Sequence, residues 1–243
     1  MNWLKFKNYF HPSWHKKIKP FIESKECDEI YKFLKTESGK GKKIAPLSFN
    51  LWKAFYETSL DDLKCVILGT HPYNTFKNDI PIADGLLMGG SILEKVELDL
   101  QEFYNALERD LYNGINLHYI KNPDVSYLAN RGVLMLNASL TIEKNSNNSH
   151  MYIWKPFIIY LFKNVFNDLD VPFIYLGKEI EKYKEFRSSF SYNFILEHPK
   201  EAAIKHIDWE PKKVFSKIDK ILEKNNGITK GIQWLDIPNE VPY

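Results

Sequence analysis

Only two cysteines, Cys27 and Cys65, occur in 243 residues, too few for a disulfide framework. Cys65 sits inside an apolar run and reads as a core thiol. No apolar stretch approaches the length of a membrane span. The segment Met1 to Trp14 mixes lysine, asparagine, histidine and aromatic residues where a signal peptide needs a continuous apolar region. A cytoplasmic protein is therefore expected, with no membrane partner. Charge of one sign is also lacking: 33 basic against 31 acidic side chains leave a formal net charge of +2, so the composition does not advertise nucleic-acid binding. The basic clusters at Lys16, Lys17 and Lys19 and at Lys40, Lys42 and Lys43 read as solvated faces. The seven histidines and two cysteines show no metal-ligand spacing, and no glycine fingerprint for cradling phosphates is present. No metal and no cofactor are expected.

What is present is apolar residues, 44% of the chain, and aromatic ones, 15%. That suffices for one substantial core, and a single domain over 1–243 is expected, as a monomer. Four short apolar runs each stop on polar or turn residues. They are Cys65 to Gly69 before Thr70-His71-Pro72-Tyr73, Val133 to Leu136 before Asn137, Phe173 to Leu176 before Gly177-Lys178, and Phe194 to Leu196 before Glu197-His198-Pro199. Runs of this length separated by helix-length segments predict buried parallel strands. Helical spacing is read at 24–36, 50–56, 94–112, 125–130, 152–167, 178–186 and 212–224. Residues 74–91, with Gly85, Gly89 and Gly90, read as a long irregular loop, and such loops are usually functional or disordered. The alternation predicts an α/β fold, a three-layer α/β/α arrangement around a central four-stranded, mostly parallel sheet. Ligands bind beyond the carboxyl ends of strands in such sheets, so His71, Tyr73, Asn137 and His198 are expected to converge on one crevice.

Those residues sit in motifs. Gly69-Thr70-His71-Pro72-Tyr73-Asn74 resembles the water-activating G-Q-D-P-Y-H of uracil-DNA glycosylases. Ala83-Asp84-Gly85-Leu86-Leu87-Met88 resembles the A-H-G-L-C-F of the same family. Gly132 to Thr141 resembles G-V-L-L-L-N-T-x-L-T, and Asn148-Ser149-His150 resembles N-S-H, with Trp154 following. Glu197-His198-Pro199 resembles the A-H-P that opens H-P-S-P-L. Phe215-Ser216-Lys217 and Ile232-Gln233-Trp234 resemble the closing elements. The likeness runs from about Trp14 to Trp234, with motifs in order at compatible spacing.

The resemblance implies a DNA glycosylase, with DNA carrying a flipped pyrimidine as partner. A base must leave the stack to be read in a closed pocket. Asn137 has the donor and acceptor to read a pyrimidine edge. His198 would donate to O2 as negative charge grows there, and Tyr73 would wall off C5. Thr70 and Met88 would complete the base pocket. Ser149, His150, Pro199, Lys200 and Ala202 would face DNA.

The departures from the family pattern concern the chemistry. His71 replaces the aspartate that orients water and faces the cationic sugar. A charge of either sign at ~4 Å is worth ~4 kcal/mol at an effective dielectric of ~20. A neutral His71 would act as general base. Otherwise Asp84 or Asp79 must supply the carboxylate. Met88 replaces a stacking phenylalanine, the loop from Tyr73 to Gly85 is about four residues longer than the family's, and Ala202 falls where the family wedges a leucine into the duplex. Ile204, Ile207 and Trp209 are the replacement wedges. These changes suggest a C5-modified cytosine of phage DNA as target, excised in antiviral defence. Ordinary uracil excision in base-excision repair and a non-catalytic DNA-binding scaffold are the alternatives.

Overall fold

The computed structural model describes residues 1–113, 119, 121–147, 149–186, 192–226 and 231–237. The predicted strands form at Cys65–Gly69 (β1), Val133–Asn137 (β2), Phe173–Leu176 (β3) and Asn193–Leu196 (β4). All pairings are parallel, in the order β2-β1-β3-β4. The first three are buried at every position, whereas β4 is only partly buried at one edge of the sheet. Burial on both faces explains why their sequences are unbroken apolar runs rather than alternating ones.

Two groups of helices flank the sheet. His15–Ile22 (α1), Lys25–Gly39 (α2) and Met151–Asn164 (α4) pack on one another. Leu98–Tyr112 (α3), Pro199–Lys205 (α5) and Val214–Asn226 (α6) form the second group, with α3 against both α5 and α6. Local chemistry sets their ends. Ser24 caps α2 by accepting from the Cys27 N–H, with Glu26 and Asp28 in the first turn, where the helix dipole favours acids. Asn113 ends α3 in the left-handed region. The abundant aromatics are mainly core. Trp14, Trp52 and Trp154 are buried, and each indole N–H finds an acceptor, in Thr58 O, Tyr31 Oη and Thr141 Oγ1. One buried apolar cluster runs from Trp3 to Leu235.

The structure departs from the sequence reading in its short elements. The 74–91 stretch is not wholly irregular. Phe76–Lys77 pairs antiparallel with Ile80–Pro81, and Asn78 and Asp79 both take positive φ, 50° and 63°, as a two-residue hairpin turn of the mirror-image type requires. Ile44–Ala45 and Ile142–Glu143 form another small antiparallel pair. Both α1 and the seven-residue α5 fall in segments with no helix expected. Among the described residues no helix is long and apolar enough to cross a membrane.

Candidate active site

The parallel register pairs Gly69 with Asn137, so β1 and β2 end side by side. Their loops are then tied together. Ala138 N–H donates to Gly69 O at 2.9 Å and Ser139 N–H to Thr70 O at 2.8 Å. Glycine at 69 lets Leu87 pack close: a Cβ there would lie 2.3 Å from Leu87 Cδ1, so the Leu87 side chain would have to move. That loop is itself fixed by Leu87 N–H donating to Met135 O at 3.0 Å.

Beyond these strand ends opens a cavity of about 760 Å³. Thr70, His71, Tyr73 and Met88 line it from one side and His198 and Lys200 from the other. A cleft of about 830 Å³ between His11, Asp61 and Arg131 lies next to Lys64 and Gly132, the residues that precede β1 and β2. It is therefore at the wrong end of the strands for a ligand site of this fold.

His198 caps α5. Its Nδ1 accepts from the Lys200 N–H at 3.2 Å, and Pro199 occupies the first helical turn, where its missing N–H costs nothing. The preceding carbonyl, Glu197 O, accepts from Trp209 Nε1 at 2.9 Å. Trp209 in turn stacks on Phe103 of α3 and is held by Arg109 Nη2 donating to its carbonyl at 2.6 Å. With Nδ1 used as acceptor, the neutral ring carries its proton on Nε2. Burial pushes the imidazole below its ordinary value of 6.5, reinforced by His71 and Lys200 and opposed by the negative charge of Asp99. The ring is a neutral donor at neutral pH.

His71 has the opposite tautomer. Its Nδ1 lies 2.9 Å from Pro72 O, which can only accept, so Nδ1 carries the proton and Nε2 keeps a lone pair. Burial holds this ring too below 6.5, with the backbone hydrogen bond opposing. Two neutral imidazoles of complementary tautomer thus line one cavity, one equipped to accept a proton and the other to donate a hydrogen bond.

Asn137 is 2% exposed, and neither atom of its amide has a hydrogen-bond partner among the described residues. Contrary to the sequence expectation, Asn137 is not among the residues that line the cavity, as Leu87 and Met88 are. The register places it at the end of β2 beside Gly69, next to Thr70 and His71, which do line it. A buried unpaired amide costs about 1–3 kcal/mol. Among the described residues Thr58 Oγ1 and Tyr119 Oη are also buried without a partner, but only Asn137 has both a donor and an acceptor unpaired. Met88 takes φ +56°, an uncommon backbone state for a side chain of this size.

Several sequence expectations are corrected. Asp84 does not reach the cavity. It is buried and bound to Lys53 at 2.8 Å, and it accepts from Leu86 N–H at 3.1 Å, so it holds the loop together. Asp79 is the turn residue of the hairpin and pairs with Lys43 and Lys144. His150 is no DNA contact: it is 2% exposed, and its Nδ1 meets Thr141 Oγ1 at 2.9 Å, the same hydroxyl that accepts from Trp154 Nε1 at 2.7 Å. Ser149 Oγ accepts from Glu143 N–H at 3.0 Å; Asn148 lies outside the described residues. Pro199 and Ala202 are buried in α5, so Ala202 cannot project as a wedge. Buried Trp209 cannot either, whereas Ile204 is 62% exposed and lines the cavity, as does exposed Leu98. Lys200 is exposed at the rim.

Sequence reasoning missed Asp99. It is buried and lines the cavity, and its Oδ1 accepts from Tyr73 Oη at 2.6 Å and from Leu100 N–H at 2.8 Å. Burial and this carboxylate together push the Tyr73 phenol well above its ordinary range, so it stays a neutral donor. The one available signal was its place in the first turn of a helix, which marks many acids that do nothing more.

No family model matches the chain. Among curated proteins it is 33% identical over 231 residues to the uracil-DNA glycosylase of Streptococcus pyogenes serotype M4, covering 93% of this chain and 99% of that one. It is 35% identical over 190 residues to the uracil-DNA glycosylase of Francisella tularensis subsp. holarctica, covering 75% and 79%. Among solved structures, mimivirus uracil-DNA glycosylase superposes with a TM-score of 0.80 at 20% identity, over 96% of this chain and 89% of that one. The motif order, the parallel sheet with its cavity at the strand ends, and identity above 30% along most of the chain agree, and the chain belongs to the uracil-DNA glycosylase family.

Proposed function

We propose that this protein hydrolyses the N-glycosidic bond of a pyrimidine flipped out of DNA, releasing the free base and leaving an abasic site. The observation that carries this reading is the amide of Asn137, buried without a partner at the end of β2 opposite Gly69, where the loop of β1 runs on into the cavity shared by His71 and His198. A scaffold of the same fold has no use for an unpaired amide, whereas a flipped base supplies the missing donor and acceptor. Met88, unbranched and adaptable, is the side chain that gives way as the base enters. Exposed Ile204 and Leu98 stand at the rim to meet the base stack, and Lys178, Lys200 and Lys205 to meet phosphates.

The chemistry follows from the two tautomers. The C1′–N1 bond breaks with its electron pair leaving on the pyrimidine. His198 Nε2–H donates to O2 as that charge accumulates. His71 Nε2 takes a proton from the water whose oxygen bonds to C1′. Burial holds His71 below its ordinary value of 6.5, so we expect single-turnover base release to be level between pH 7 and 8 and to fall only on the acid side of 6.5, as His71 protonates. His71→Ala should lower the plateau 10²-fold or more, by the usual worth of a general base, and lose the acid limb. A His71→Ala protein that keeps the parent's plateau rate and acid limb removes His71 from this role.

Uracil is the favoured base, because Tyr73 at the C5 wall is fixed by its 2.6 Å bond to Asp99. A C5-modified cytosine of phage DNA is the second reading. Met88, His71 and the lengthened loop favour it, and the pinned tyrosine counts against it. The deciding experiment incubates the purified protein with oligonucleotides containing uracil, and with DNA bearing C5-modified cytosines, and identifies released bases by mass. Uracil alone is expected. Release of a modified cytosine would shift the assignment to defence, and no release from any substrate would overturn glycosylase activity.

A further inference from the structure

A sugar losing its base becomes cationic at C1′, and a fixed negative charge nearby lowers that barrier. With His71 neutral, the loop after β1 offers none. Five carboxylates line the cavity: Glu97, Asp99, Glu179, Glu197 and Glu201. Four are exposed, so solvent and salt screen them. Asp99 is 6% exposed, in a setting where charge acts at lower effective dielectric. It makes no ion pair among the described residues, and its two hydrogen bonds both fall on Oδ1. A buried carboxylate without a cation is costly, and the start of α3 relieves only part of that cost.

Resting on the glycosylase reading above, we propose that Asp99 is the carboxylate that opposes the positive charge growing on the sugar, acting as a positioning residue across the cavity wall. It serves the reaction in two ways. Its charge is held at one place by Tyr73 and Leu100. Through Tyr73 Oη it also fixes the ring that bounds the base. The titratable groups that feel its charge are Tyr73, Glu97 and His198; Asp84 acts on Tyr73, and Lys200, on the rim, acts on Glu97 and His198. The duty that sequence comparison would give to residue 71 has moved to the helix after the loop.

The bonding pattern supplies a sharp test. Asn in place of Asp99 keeps a carbonyl oxygen to accept from both Tyr73 Oη and Leu100 N–H, and loses only the charge. Single-turnover release is measured for the parent, Asp99→Asn and Asp99→Ala on the oligonucleotide the parent cleaves, with DNA affinity and thermal unfolding alongside. The proposal expects Asp99→Asn to be slowed on the order of 100-fold, nearly as much as Asp99→Ala, with DNA affinity equal or tighter. Asp99→Asn within threefold of an active parent shows that the hydrogen bonds alone matter and overturns the proposal, while leaving the glycosylase reading intact. A parent that releases no base overturns both.

A second measurement uses the parent chain alone and stays decisive if the variants fail to fold. Binding is compared for oligonucleotides carrying a cationic pyrrolidine or a neutral tetrahydrofuran in place of the sugar. At least tenfold preference for the cation is expected, and equal binding overturns the proposal.

Discussion

His198→Ala should slow base release by 10² to 10³, with little change in the affinity for DNA. That magnitude, about 2.7–4 kcal/mol, is the usual worth of one positioned donor to a developing oxyanion. An interaction made only in the transition state lowers the rate and kcat/KM together rather than raising KM. The geometry around His198 is what the proposed donor needs. Nδ1 is occupied by the Lys200 N–H, the ring is neutral through burial, and Trp209 holds the preceding carbonyl. The substitution also removes the cap of α5, which costs about 1 kcal/mol and about 2–4 °C in a chain of this size. His198→Asn separates the two effects. It keeps a capping oxygen and recovers most of the stability, but its shorter amide does not reach the base and the rate stays low. A His198→Ala protein within fivefold of the parent rate would remove His198 from the chemistry.

The sheet and the placement of this histidine were legible in the sequence because both are written locally. An apolar run buried on both faces has one reading, and a polar residue at its end has one place to go. His71, Tyr73, Met88 and His198 reach one cavity for that reason. Other features depend on partners far along the chain. Asp84 looks like a free carboxylate until Lys53, 31 residues earlier, is seen to pair with it. His150 looks like a surface ligand until Thr141 and Trp154 enclose it. Asp99 joins Tyr73 across 26 residues, and nothing in either segment announces the other. Helix α5 was overlooked because seven residues carry too little periodicity. Its signature was instead the histidine cap followed by proline, two features that the sequence reading treated only as parts of a functional motif.

Asn137→Leu should abolish base release and at the same time make the protein more stable. The two outcomes have one cause. The Asn137 side chain is buried with no partner for its donor or its acceptor among the described residues, so the folded state bears a desolvation penalty of about 1–3 kcal/mol. Leucine has similar bulk and no polar atoms, and it removes the penalty without opening a cavity. Thermal unfolding should rise by about 2–4 °C per kcal/mol recovered. Activity should fall below detection, because an apolar side chain leaves the edge of the flipped base unpaired in a dry site, and losing polar recognition of that kind costs as much as 10⁴-fold. Asn137→Asp is the companion. Its carboxylate keeps the acceptor and loses the donor, and it buries a charge, so it should lower both activity and stability. A structural amide would behave in the reverse way, with Asn137→Leu destabilising the fold while catalysis survived in whatever remained folded. Differential scanning calorimetry and single-turnover release on the same preparations distinguish the cases. Stability gained where function is lost would mark this residue as one kept for a ligand rather than for the fold.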